Sequence, residues 1–213
     1  MEKMDYLQQP QAIEAKSFVI IGDIIKETRP DYRFASPLHE AVIKRVIHTT
    51  ADFDWLDILW FSADALESLC TAIQQGCTLY TDTTMALSGI NKTLLAQFGG
   101  EVRCYISDPR VVRRAKADGI TRSMAAVDLA LGEEGGKVFV FGNAPTALFR
   151  LLEHNTPVNG VVGVPVGFVG AAESKEALVA SGLPGIAARG RKGGSNVAAA
   201  IVNALLYSLR EAQ

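Results

Sequence analysis

The sequence predicts one α/β domain built on a doubly wound, mainly parallel sheet with helices on both faces, a three-layer arrangement. Between Asp57 and Ala188, short apolar runs rich in β-branched and aromatic residues alternate with longer segments of helical periodicity. The runs end in polar, glycine-containing stretches, as expected where parallel strands deliver a ligand site at their carboxyl ends. A chain of 213 residues, 48% of them hydrophobic, buries one substantial core without a second one, so residues 1–213 are read as a single domain.

Pro10 to Lys26 reads as the first helix, because Ile13, Ile20, Ile21 and Ile24 recur at helical spacing. Ser17 falls on that apolar face, where its hydroxyl either meets a ligand or simply bonds back to a preceding carbonyl. Ser36-Pro37 is a helix start, a capping hydroxyl followed by proline at the first helical position, and Leu38 to His48 continues it. His48 then lies in or just past the last turn, where the carbonyl end of the helix favours positive charge. It is either a proton donor or a capping histidine. His39 and His154 are weaker candidates.

The strands are expected at Asp57 to Phe61, Thr78 to Thr81, Glu101 to Ile106, Val138 to Phe141, Gly160 to Val164 and Gly185 to Ala188. Helices are expected between them at Ala63 to Gln75, Asn91 to Phe98, Pro109 to Ala117, Ser123 to Leu131, Thr146 to His154 and Glu173 to Ala180, and Asn196 to Arg210 ends the chain. Gly76 closes the first of these. The strand-end loops carry Thr81-Asp82-Thr-Thr84-Met85, Ser107-Asp108-Pro109, Gly142-Asn143-Ala-Pro-Thr146 and Pro165 to Gly170. Asp82 has no second carboxylate or histidine at metal-ligand spacing, so no bound metal is expected, and a lone strand-end aspartate is ordinarily a turn cap.

Glycine is densest from Asn159 to Asn196. The segment Gly190-Arg-Lys-Gly-Gly-Ser195 opens the last helix, with Ser195 as its expected cap, Gly193 and Gly194 offering open N–H groups, and Arg191 and Lys192 adding positive charge. The loop is either an anion site or a set of tight turns. It matches neither the GxxxxGK[ST] phosphate loop nor the GxGxxG dinucleotide fingerprint. Arg122, in a helical first turn after Thr121, is able to present a bidentate fork to a carboxylate. Arg110, Arg113, Arg114 and Lys116 read as a solvated helix face.

With 21 basic and 23 acidic residues the formal charge is −2, which argues against a general nucleic-acid binder. Cys70, Cys77 and Cys104 form no CxxC pair and read as reduced core residues of a cytoplasmic protein. The N-terminal MEKMDYLQQPQ lacks the basic flank and apolar run of a signal peptide, and no run has the length of a membrane span.

IEAKSF around Ser17, RVIHTTAD around His48, TRS at Thr121, FGNAPTAL from Phe141, GVPVGFVGAAESK from Gly163 and GRKGGS from Gly190 together resemble the precorrin-8X methylmutase family, including the cobalt-precorrin-8 enzymes. The motifs span nearly the whole chain. The resemblance implies a flavodoxin-like α/β homodimer with its sites at the subunit interface and no cofactor. It implies an isomerase of cobalamin biosynthesis that moves a methyl group from carbon 11 to carbon 12 of ring C, giving hydrogenobyrinate or cobyrinate, with His48 handling a proton at the ring C nitrogen. An acidic macrocycle edged with carboxylate arms asks for glycine-rich walls and a few cations. Lys16, Arg122, Arg191, Lys192 and the N–H groups of Gly193, Gly194 and Ser195 are the expected anchors, Ser17 and Thr121 lie in matching motifs, and Thr84 and Met85 are expected to line the pocket. Two rivals use the same residues: a non-catalytic corrinoid carrier, separated only by turnover, and a nucleotide-binding α/β protein, separated by which ligand raises the melting temperature.

Overall fold

The computed structural model describes residues 7–212, and the N-terminal stretch read above for a signal peptide lies largely outside them. The chain runs α1 (Pro10–Thr28), α2 (Pro37–Thr50), α3 (Trp55–Ile58), β1 (Leu59–Phe61), α4 (Ala65–Gln74), β2 (Thr78–Thr81), α5 (Thr84–Gly89), α6 (Lys92–Gln97), β3 (Glu101–Arg103), α7 (Pro109–Asp118) and α8 (Arg122–Leu131). It continues through β4 (Lys137–Phe141), α9 (Pro145–His154), β5 (Gly160–Gly163), α10 (Ala171–Ala180), β6 (Gly185–Ala188) and α11 (Ser195–Glu211). The strands form one sheet in the order β1-β6-β5-β4-β2-β3. Every pairing is parallel except β1 with β6.

Alternation along the strands divides the core. Val138, Val140, Val162 and Ile186 point to the face covered by α2, α4 and α11. Phe139, Phe141, Val161 and Ala187 point to the face covered by α8, α9 and α10. The most buried helix is α11, whose Val197, Ile201, Val202, Leu205 and Leu206 lie between the sheet and α2. Beginning such a helix at the carboxyl edge of the sheet sends its open N–H groups toward the strand-end loops.

Three local differences from the sequence reading have physical causes. Asp57 and Ile58 close a helical turn that buries Trp55 and Leu56, so the first strand begins only at Leu59. The third strand stops at Arg103 because it is an edge strand whose one neighbour, β2, pairs Tyr80 with Arg103 near its own end. The polar stretch after β2 contains a short helix, α5, started by Thr83, whose hydroxyl accepts the Ala86 N–H at 3.1 Å.

The antiparallel strand has the largest consequence. Because β1 runs against β6, with Leu59 opposite Ala188, the segment leading into it lies at the carboxyl edge of the other strands. The Arg189 N–H donating to the Ile58 carbonyl at 2.8 Å fixes this. A parallel β1 would have sent the same segment, and the end of α2 before it, to the opposite edge.

On the other face, Asp128 ties three helices together. Its carboxylate receives Nε and Nη2 of Arg150 at 2.8 and 3.0 Å, His154 Nε2 at 2.6 Å and Arg114 Nη2 at 3.1 Å. Burial raises this carboxyl, but the bonds from Arg150 and His154 and the charges of Arg150 and Arg114 outweigh it and hold the group below its ordinary value. A depressed carboxyl contributes stability that is present above its unfolded value and lost as pH falls through the folded one. Asp128→Asn is therefore expected to cost about 2 kcal/mol at pH 7 and less at pH 3, as read by urea unfolding. An equal cost at both pH values would refute the ionic role.

Among the described residues no helix is long and apolar enough to cross a membrane. Burial pushes the Cys70 and Cys77 thiols up to about 11 and about 12, which removes them as nucleophiles at neutral pH.

Candidate active site

The loop from Gly190 to Gly194 joins β6 to α11 and packs against the residues that follow β4 and β5. Gly190 and Gly194 have φ of 74° and 142°, in the region that favours glycine. A Cβ on Gly193 would collide with the Val164 carbonyl, and one on Gly142 would sit 2.5 Å from the Ser195 Cα. The Gly167 N–H donates to the Arg191 carbonyl at 3.1 Å and the Gly194 N–H to Val164 at 3.0 Å, so loops from β5 and β6 are stitched together.

This geometry corrects the sequence reading at three anchors. Ser195 is the first residue of α11, not its cap; Gly194 occupies the cap position, and the Ser195 hydroxyl lies 2.7 Å from that of Thr83, 112 residues away. The Gly194 N–H is spent on Val164. Lys192 is not an uncommitted cation, since Nζ donates to Asp52 at 2.5 Å and to Asp54 at 2.6 Å, bonds that raise its affinity for the proton. Open donors next to the helix start include the Gly193 N–H, which has no acceptor among the described residues, and the first-turn amides of Ser195, Asn196 and Val197; the N–H groups of Gly190, Arg191 and Lys192 are likewise without acceptors there. Arg191 is exposed, with its guanidinium 5.5 Å above the Phe168 ring.

The Lys192 pairs have a positional consequence. Asp52 follows His48 by one turn, so they hold the end of α2 against the glycine loop. His48 is in the last turn of α2, exposed, with its ring stacked on Phe18 at 5.4 Å and 24°. Among the described residues neither ring nitrogen has a hydrogen-bond partner, which leaves both available to a ligand. Phe18 adjoins Lys16 and Ser17 on α1. Lys16 is exposed, and the Ser17 hydroxyl donates to the Ile13 carbonyl at 2.8 Å, the back-bonding alternative of the sequence reading.

Two further groups border the same edge. Thr84 and Met85 open α5 beside Ser195; Thr84 is exposed and Met85 is 69% exposed. Thr121 caps α8, and its hydroxyl forms a triangle with those of Ser123 and Thr146, at 3.0, 3.3 and 3.1 Å. The exposed Arg122 adjoins that triangle. Ser123, Thr146, Phe18 and Asp52 were not among the expected site residues; all four lie within the matching motifs, but the contacts of Thr146 with Thr121 and Ser123, of Phe18 with His48 and of Asp52 with Lys192 join residues far apart in the chain.

Asp82, at the switch point between β2 and β4, is buried and accepts the N–H groups of Gly142, Asn143 and Ala144 at 3.0, 2.7 and 2.6 Å. Burial pushes its carboxyl upward, opposed by those amides. It is a turn cap, and it occupies the crevice where doubly wound proteins of other kinds place an anion. Among the described residues no group of three His, Cys, Asp or Glu side chains is arranged to hold a metal.

Fold and candidate site together describe an α/β protein that gathers one histidine, several hydroxyls and open backbone amides on the carboxyl edge of its sheet, an arrangement suited to acidic groups. Residues 12–208 match the family model for precorrin-8X methylmutase. The chain is 80% identical to the cobalt-precorrin-8 methylmutase of Salmonella typhimurium across 98% of its own length and 100% of the relative's. It is 37% identical to the precorrin-8X methylmutase of a Sinorhizobium species, covering 96% and 98% of the two chains. A precorrin-8X methylmutase structure from Thermus thermophilus superposes with a TM-score of 0.85 at 36% identity, covering 94% of this chain and 98% of that one. The chain belongs to the precorrin-8X methylmutase family, and it is an isomerase.

Proposed function

We propose that this chain is the cobalt-precorrin-8 methylmutase of a cobalamin pathway, acting as a cytoplasmic homodimer. The observation that carries the choice of substrate is the 80% identity, over essentially complete lengths, to a relative named for the cobalt form, against 37% to one named for the metal-free form. Cobalt is then part of the substrate. The reaction breaks the bond between the migrating methyl and carbon 11 and forms one to carbon 12, giving cobyrinate with no atom gained or lost.

Such a rearrangement is accelerated by holding the ring in one conformation and by managing one proton. The exposed, unbonded imidazole of His48 beside the glycine loop supports its role as that proton handler at the ring C nitrogen. The open amides at Gly193 and Ser195, with Arg191, Arg122, Lys16 and the Thr121 hydroxyl cluster, suit the carboxylate arms; Thr84, Met85 and Ser17 suit the ring's rim. Phe168 and Val169, 83% and 90% exposed on the same edge, support a wall completed by a second subunit, as do exposed Val19 and Ile20 on α1.

The test is the absorption spectrum of the purified protein incubated with cobalt-precorrin-8 and, separately, with precorrin-8X. Conversion of the first to cobyrinate, faster than of the second to hydrogenobyrinate, is the expected result. Binding without conversion of either would make the protein a carrier.

A further inference from the structure

Lys175 lies in the first half of α10 and is 1% exposed, among the most buried large side chains of the protein. Buried lysines are rare unless paired with an anion. Among the described residues no carboxylate lies within salt-bridge distance of this one; Nζ instead donates to the backbone carbonyl of Lys192 at 2.8 Å. Glu176 and Arg189 border the small cavity beside it, and neither pairs with it.

The carbonyl it holds belongs to the peptide unit whose N–H is that of Gly193. That peptide is trans, so its N–H points opposite to its C=O. Anchoring the carbonyl inward on Lys175 therefore aims the Gly193 N–H outward, and that N–H has no acceptor among the described residues. A cation on the carbonyl also polarises the peptide and strengthens its N–H as a donor. The substitution-intolerant backbone of Gly193, pressed on Val164, keeps this peptide from turning over.

We propose that Lys175 is a positioning residue for the acidic substrate: it orients and polarises the Lys192–Gly193 peptide so that the Gly193 N–H receives a substrate carboxylate, which supplies the counter-charge that the buried ammonium lacks. This inference rests on the corrinoid reading above. Burial pushes the ammonium down to about 8, in keeping with a cation kept in the protein at a cost to stability.

Wild type, Lys175→Gln and Lys175→Met are compared for binding of cobyrinic acid and of its neutral heptamethyl ester, and for kcat and KM with cobalt-precorrin-8. Both variants are expected to weaken binding of the acid about tenfold or more, to leave binding of the ester within about threefold, and to raise KM while kcat changes little. A merely structural role would weaken acid and ester together, and that outcome overturns the proposal. Lys175→Gln binding the acid as wild type does overturns it too, and this variant decides the matter if Lys175→Met fails to fold. Failure of the wild type to bind the acid would defeat the corrinoid reading and this inference together, whereas normal wild-type turnover with unaltered Lys175→Gln defeats this inference alone.

Discussion

His48→Asn is expected to lower kcat for cobalt-precorrin-8 by 10²- to 10⁴-fold, roughly 3 to 5 kcal/mol of barrier, while leaving the affinity for product within about threefold. The size follows from what the side chain is asked to do. On the proposed mechanism the methyl shift within one molecule needs no nucleophile, so once the ring is held, a proton handled at the ring nitrogen is the contribution left for His48 to make. The small effect on binding follows from exposure: His48 sits at the surface, bonded to nothing but the Phe18 face. His48→Phe separates the two roles, because it keeps a ring against Phe18 and removes the proton. It is expected to lose as much turnover as His48→Asn with an unfolding temperature close to that of the wild type. Full activity in either variant would remove His48 from the mechanism, and loss of corrinoid binding equal to the loss of turnover would make it a binding residue.

The features legible in the sequence were the ones written locally. Ser36-Pro37 announces α2, and the Ser36 hydroxyl does accept the His39 N–H at 3.1 Å. Gly76, with φ of 75°, ends α4 as a helix-stopping glycine does. The five parallel strands follow from alternation of apolar runs, and the glycines of the 190–195 loop from their density. What stayed hidden depends on partners far along the chain. Nothing near Ser195 says that Thr83 will take its hydroxyl, and nothing near Lys192 says that Asp52 and Asp54 will neutralise it. The direction of β1 is equally silent, since three residues, Leu-Trp-Phe, pair as well antiparallel as parallel; it decides on which edge His48 falls. Lys175 reads as one more charge in an amphipathic segment, and only packing reveals that it faces inward.

Asp82→Ala is expected to be the most damaging single change away from the substrate itself, costing roughly 3 to 5 kcal/mol and about 10 °C in unfolding temperature. Removal of the carboxylate leaves the amides of Gly142, Asn143 and Ala144 without acceptors, the first in a fully buried position. Unsatisfied buried donors cost far more than the bonds they lost were worth, because no water replaces the oxygen. The same turn is also the hinge of the site. Gly142 lies against the backbone of Ser195, and Thr146, one turn further on, completes the hydroxyl triangle with Thr121 and Ser123. A turn released from Asp82 moves both at once, so kcat/KM is expected to fall by roughly 10²-fold even where the protein stays folded, as misplacement by about 1 Å does elsewhere. Asp82→Asn, which keeps an oxygen but turns an NH₂ toward one amide, is expected to fall between the two in both measurements. Thermal unfolding and steady-state kinetics on the same preparations decide it: wild-type stability in Asp82→Ala would mean that the turn holds its shape without the carboxylate. Stability lost with kcat/KM intact would mean that the strand-end turn and the site are independent.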